Sequence, residues 1–186
     1  MKKYFLFFVV VFFSVQIQSQ TPLEIIGWIN DFENNYATER ILDKTTIDKV
    51  VLRYQKISGR DILVVRTHTY NGTSNPPMID TYIDLSSVVR ISADPRIRGG
   101  NTFCDVKICT SEGGQVSYLK MPQSDEWVIF PGWKEFIEKQ GYCNSEIRLS
   151  IYESTTDAKK LLERITNALV TLCKMHGSDP AIGPLF

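Results

Sequence analysis

The stretch Ile47–Tyr70, IDKVVLRYQKISGRDILVVRTHTY, decides the fold class. Val50, Leu52 and Tyr54 alternate with Val51, Arg53 and Gln55, Ser58-Gly59 offers a turn, and Ile62, Val64 and Arg66 then alternate with Leu63, Val65 and Thr67. A side-chain period of two on both sides of a turn predicts a β-hairpin. Working outward, the same rhythm recurs in Met78–Leu85 running on to Val88–Ile91, and in Phe103–Thr110, Val116–Met121, Trp127–Phe130 and Asn144–Tyr152. Gly, Pro and Asn clusters punctuate it: Asn71-Gly72, Asp94-Pro95 with Gly99-Gly100 as a loop, Gly113-Gly114, and Pro131-Gly132 ahead of a brief helix over Trp133–Lys139.

Helical patterns flank the strands. Thr21-Pro22-Leu23-Glu24 carries an N-cap, a proline at the first helical position and a capping-box glutamate, and Ile25, Trp28, Ile29, Phe32 and Tyr36 follow as one apolar stripe. Glu24, Asn30, Asp31, Glu33 and Asn34 are expected to face away from it. At the other end, Thr155, Thr156 and Asp157 offer N-caps for a helix whose apolar face runs through Ala158, Leu161, Leu162, Ile165, Leu169, Leu172 and Cys173 to a glycine stop at Gly177. The expected organisation is a leader over residues 1–20, a helix within 21–40, a β-rich domain over 47–176 and a loosely held tail over 177–186.

The leader is read from its layout: basic Lys2 and Lys3, the apolar run Tyr4–Val15 broken by Ser14, then polar Gln16, Gln18, Ser19 and Gln20. This is the pattern of a cleavable signal peptide, and the run is shorter than the ~20 residues a bilayer crossing needs. An exported domain, periplasmic or secreted and without a membrane anchor after cleavage, is therefore expected. Lys plus Arg equal Asp plus Glu at 21 each, so no net field draws the chain to nucleic acid.

Seven short antiparallel strands closed by one amphipathic C-terminal helix resemble the pleckstrin-homology-like superfold over Ile47–His176, with Tyr82–Ile91 (YIDLSSVVRI) similar to a third strand of such domains. The resemblance implies an α+β fold: a seven-stranded antiparallel bent sheet or partly open barrel capped by that helix, with an extra N-terminal helix beside it. Phosphoinositide-binding members carry closely spaced basic residues at the first hairpin. Lys56 and Arg60 flank that turn here, but the next basic residue is Arg66, so the pattern is departed from.

Export makes disulfides permissible. Cys104 and Cys109 lie on one strand, ~16 Å apart and on opposite faces, too far to bond each other. Their partners, if any, are Cys143 and Cys173, which leaves two fully paired connectivities; Cys104 and Cys173 could equally serve as buried thiols. Closely spaced Cys or His pairs that would hold zinc are missing, as are phosphate-cradling glycine motifs, so neither a metal nor a cofactor is expected. His176 is placed to satisfy carbonyls at the last helix's end. His68 would have to serve any hydrolase, with a nucleophile the sequence does not identify. Asp80 and Asp84 share one strand face and are expected to line its wet side, and Asn71-Gly72-Thr73 matches a glycosylation sequon as well as a hairpin turn.

The functional expectation is a monomeric, non-catalytic binding module for a protein or small-molecule partner. It would present an exposed apolar or aromatic patch around Trp127 and Trp133, with Tyr142 nearby, and a small basic spot at Arg96 and Arg98. A small exported hydrolase built on His68 is the alternative.

Overall fold

Thr21 caps the first helix as its sequence demands: its backbone N–H donates to Glu24 Oε2 at 2.6 Å, and Glu24 N–H donates back to Thr21 Oγ1 at 3.3 Å. The computed structural model describes residues 20–36, 47–70, 78–98, 101–120, 126–129, 145–150 and 155–183. The leader up to Ser19, the Asn71 sequon, Trp133, Tyr142, Cys143 and the Trp133–Lys139 segment lie outside the described residues, as do the side chains of His68, Arg96, Arg98 and Cys104. Helix α1, Pro22–Tyr36, buries Ile25, Ile26 and Ile29. Asn30, expected to face away, is half-buried instead: its amide donates to Leu52 C=O at 2.7 Å and its carbonyl accepts from Leu52 N–H at 2.8 Å. The carboxamide thus takes the place of a strand partner on the outer edge of the first hairpin.

That hairpin forms as the alternation predicts, with β1 (Ile47–Ile57) and β2 (Arg60–Tyr70) joined through Ser58 and Gly59, both at positive φ. Positive φ at both turn residues matches the twist of the flanking strands. β3 (Met78–Asp84) adds to β2, and the chain then leaves the sheet. Asp84 caps a single 3-10 turn, Leu85–Ser87, by accepting from Ser86 N–H at 3.0 Å. The long hairpin β4 (Val88–Arg98) and β5 (Asn101–Thr110) follows, and Ser111–Gly114 brings the chain back as β6 (Gln115–Lys120), beside β3. β7 (Trp127–Ile129) pairs with β6, β8 (Ser145–Ser150) with β5, and β9 (Ala181–Ile182) runs parallel to β4.

The expected single seven-stranded sheet is therefore corrected. The described strands form a five-stranded sheet, β1-β2-β3-β6-β7, and a four-stranded sheet, β8-β5-β4-β9, antiparallel except for the β4–β9 pair. The two crossings are stitched together by Asp84 N–H donating to Gly114 C=O at 2.8 Å and Ser111 N–H donating to Ser87 C=O at 2.9 Å. Gly114 suits this place because a Cβ there would lie 2.2 Å from Ser87 Oγ. Asp94-Pro95, Arg96 and Arg98, expected in a loop, belong to β4 instead. Beyond its pairing with β9 at Arg90 and Ile91, β4 is an edge among the described residues, where a proline leaves no ladder bond unmade.

Both sheets and both helices share one core. Leu52, Leu63, Val65 and Ile83 contribute from the first sheet, Ile91, Val106 and Ile108 from the second, Ile25 and Ile29 from α1, and Leu162, Ile165, Leu169 and Leu172 from α2, Thr155–Met175. Each such side chain contributes roughly 1.5–3 kcal/mol on leaving water. Helix α2 closes at Gly177, φ 87, with Ser178 N–H donating to Cys173 C=O at 3.1 Å and Gly177 N–H to Lys174 C=O at 3.3 Å. These are the paired bonds of a Schellman end. The tail that follows, expected to be loose, is instead docked as β9, with Gly183 N–H donating to Ile91 C=O at 2.8 Å. Among the described residues, no helix is long and apolar enough to cross a membrane.

Candidate binding surface

The five-stranded sheet has two faces, because successive side chains alternate. Leu63, Val65 and Ile83 point into the core, so Val64, Arg66, Asp80, Tyr82, Tyr118, Trp127 and Ile129 lie on the opposite face. One register row crosses the whole sheet there: Val51, Arg66, Asp80, Tyr118 and Ile129.

At the centre of the row, Arg66 grips Asp80 with two charge-assisted bonds, Nε to Oδ1 and a terminal guanidinium nitrogen to Oδ2, both 2.6 Å. Asp80 is 3% exposed, so the wet-face expectation fails for it. The hydrogen bond to Asp80 holds the Arg66 guanidinium above its ordinary range, while burial, reinforced by the Asp80 charge, pushes the Tyr82 phenol up. Tyr82 meets Tyr118 edge to face, with centroids 5.4 Å apart. Asp84, on the same face, is committed to Ser86 and to Arg60 at 3.5 Å. The two carboxylates thus have separate partners.

Toward the edge the chemistry turns apolar. Trp127 spreads its ring over the Arg66 guanidinium, 5.3 Å from the centroid. Trp127, Val128 and Ile129 are 37%, 46% and 60% exposed on a strand that, among the described residues, pairs only with β6. Alternation puts Val128 on the other face, so the strand presents apolar side chains on both. Of the residues singled out from sequence as ligand contacts, Trp127 is the one whose side chain is described. Arg96 and Arg98 stand on β4, in the other sheet.

A second polar cluster was not legible from sequence. Asp61, on β2, accepts from Tyr54 Oη at 2.5 Å and lies 3.2 Å from His176 Nδ1 and 3.5 Å from Lys56 Nζ. Tyr54 and His176 stack at 5.4 Å. The imidazole expected to serve the helix carbonyls is thus turned onto the first hairpin. Hydrogen bonding from Tyr54, supported by the charges of His176 and Lys56, holds the Asp61 carboxyl below its ordinary range despite some desolvation. Asp61 orients the ring as an acid orients a catalytic imidazole, but His176 Nε2 is buried and has no partner among the described residues. Cys173, one turn earlier, is a free buried thiol that burial pushes up to about 12, so it stays protonated at neutral pH.

The same thiol removes Cys173 from the disulfide candidates, while Cys109, buried beside the Arg90 guanidinium at 3.7 Å, is disulfide-bonded. Among the described residues, no group of three or more His, Cys, Asp or Glu side chains could hold a metal ion. Comparison with family models, curated proteins and solved structures gives no match.

Proposed function

We propose that the protein is an exported, monomeric interaction module that binds an extended apolar or aromatic segment of another protein along β7. One observation carries this reading: three consecutive apolar residues, Trp127, Val128 and Ile129, are each more than one-third exposed on a strand that is an edge among the described residues. Exposed apolar edges are templates for strand addition, and proteins that do not use them blunt them with charge or proline. Behind the strand, the Arg66–Asp80 pair and the Tyr82–Tyr118 contact give the edge a rigid base. The apolar leader behind Lys2 and Lys3 and the disulfide at Cys109 support export, since such bonds persist in oxidising compartments. The likeness to the pleckstrin-homology-like superfold belongs to the same proposal. Helix α2 packed over the shared core supports it, and β6 lying beside β3 departs from a simple succession of hairpins.

The test is capture of partners from the compartment into which the protein is exported, with wild type and Ile129→Lys side by side. Loss of a specific partner in the variant, at unchanged thermal stability, supports the reading. Equal capture by both, or specific turnover of a small molecule by the wild type, would remove it.

A further inference from the structure

We infer that Cys109 is bonded to Cys143, so that residues 109–143, with β6 and β7 among them, form a covalently closed loop. The chain has four cysteines, at 104, 109, 143 and 173. Cys109 is in a disulfide and Cys173 is a free thiol, which leaves Cys104 and Cys143 as partners. Cys104 stands on β5 with Cys109, and the register against β4 runs without a shift from Cys104 opposite Pro95 to Cys109 opposite Arg90. Five residues of regular strand separate their Cα atoms by ~16 Å, against the ~7 Å limit for a bridge. Cys143 remains.

In the oxidation, the Cys109 and Cys143 thiols lose two protons and two electrons and form one S–S bond. The electrons reduce the disulfide of an exchange partner, such as oxidised glutathione, to two thiols. The Arg90 guanidinium lies 3.7 Å from Cys109 Sγ. Burial of Cys109, 3% exposed, then shields the bond from reductants.

The test uses the full exported chain, or chain refolded in a glutathione redox buffer, alkylated in denaturant without reductant and mapped by mass spectrometry. The expected result is a peptide pair joined through Cys109 and Cys143, with Cys104 and Cys173 alkylated. In Cys104→Ser, the same pair should persist. A Cys109 peptide joined to Cys104 or Cys173, or an alkylated Cys143, would overturn the assignment. The wild-type map decides the assignment, the Cys104→Ser map is read on chain whose circular dichroism matches wild type, and the result is independent of what β7 binds.

Discussion

Arg66 and Asp80 stand directly opposite each other on β2 and β3 and share two 2.6 Å hydrogen bonds, with the carboxylate almost wholly out of water. A buried carboxylate that loses the cation bonded to it is left without that compensation, which costs about 3–5 kcal/mol. Arg66→Met should therefore lose about that much in urea unfolding. Arg66→Met with Asp80→Leu should lose clearly less, because removing both charges also removes the desolvation penalty. Equal losses in the two variants would show that the pair acts through something other than charge.

Asn30 closes the outer edge of β1 at Leu52. Asn30→Ala leaves the Leu52 N–H and C=O without that partner, and the expected loss is about 2 kcal/mol, one for each hydrogen bond. The uncovered edge should also favour self-association at high concentration. Denaturant titration and light scattering check the two effects separately.

The Asp61 carboxyl is held below its ordinary value by the Tyr54 hydroxyl, with His176 and Lys56 assisting. Its folded pKa is lower than its unfolded one, so its contribution to stability is complete above about pH 4 and is lost as pH falls through the folded value. The Tyr54 phenol is raised by the same bond, and its contribution is complete below about pH 10 and lost as pH rises beyond it. Tyr54→Phe and Asp61→Asn should each flatten both limbs of the stability–pH curve and lower the plateau at pH 7. Chemical denaturation from pH 3 to 11 supplies the comparison.

Gly114 sits where the chain passes between sheets, and an added Cβ would meet Ser87 Oγ at 2.2 Å and Thr110 Cβ at 2.7 Å. Gly114→Ala should cost about 1–3 kcal/mol, the range for overpacking a tight site. Adding Ser87→Ala should recover part of the loss, because the hydroxyl makes the closest contact. Thermal melts of the single and double variants are sufficient.

What could be read in advance was local. The Ser58-Gly59 hairpin, the Thr21 capping box and the Gly177 helix end follow from a few adjacent residues each, and the physics that sets them acts over the same distance. Sheet membership did not follow, because Val106 and Ile108 alternate in β5 as Leu63 and Val65 do in β2, and a period of two says nothing about which strand lies alongside. Asn30 misled for a related reason: a polar residue on a helix reads as solvated unless the backbone it will meet is known. The His176–Asp61 contact joins the two ends of the domain, and no spacing rule spans that interval. Trp127 was legible as an aromatic on a short strand and part of an exposed patch, whereas Arg66 as its support was not.

The insertion of β4 and β5 between the neighbouring strands β3 and β6 bears on the order in which the chain comes together. Hairpins β1–β2 and β4–β5 need only short loops to close, whereas pairing β3 with β6 must also close the whole intervening excursion, which costs more chain entropy. The exposed strand β7 has no described neighbour other than β6 and so cannot join the sheet before it. The strand that carries the exposed Trp127, Val128 and Ile129 therefore joins the first sheet no earlier than β6.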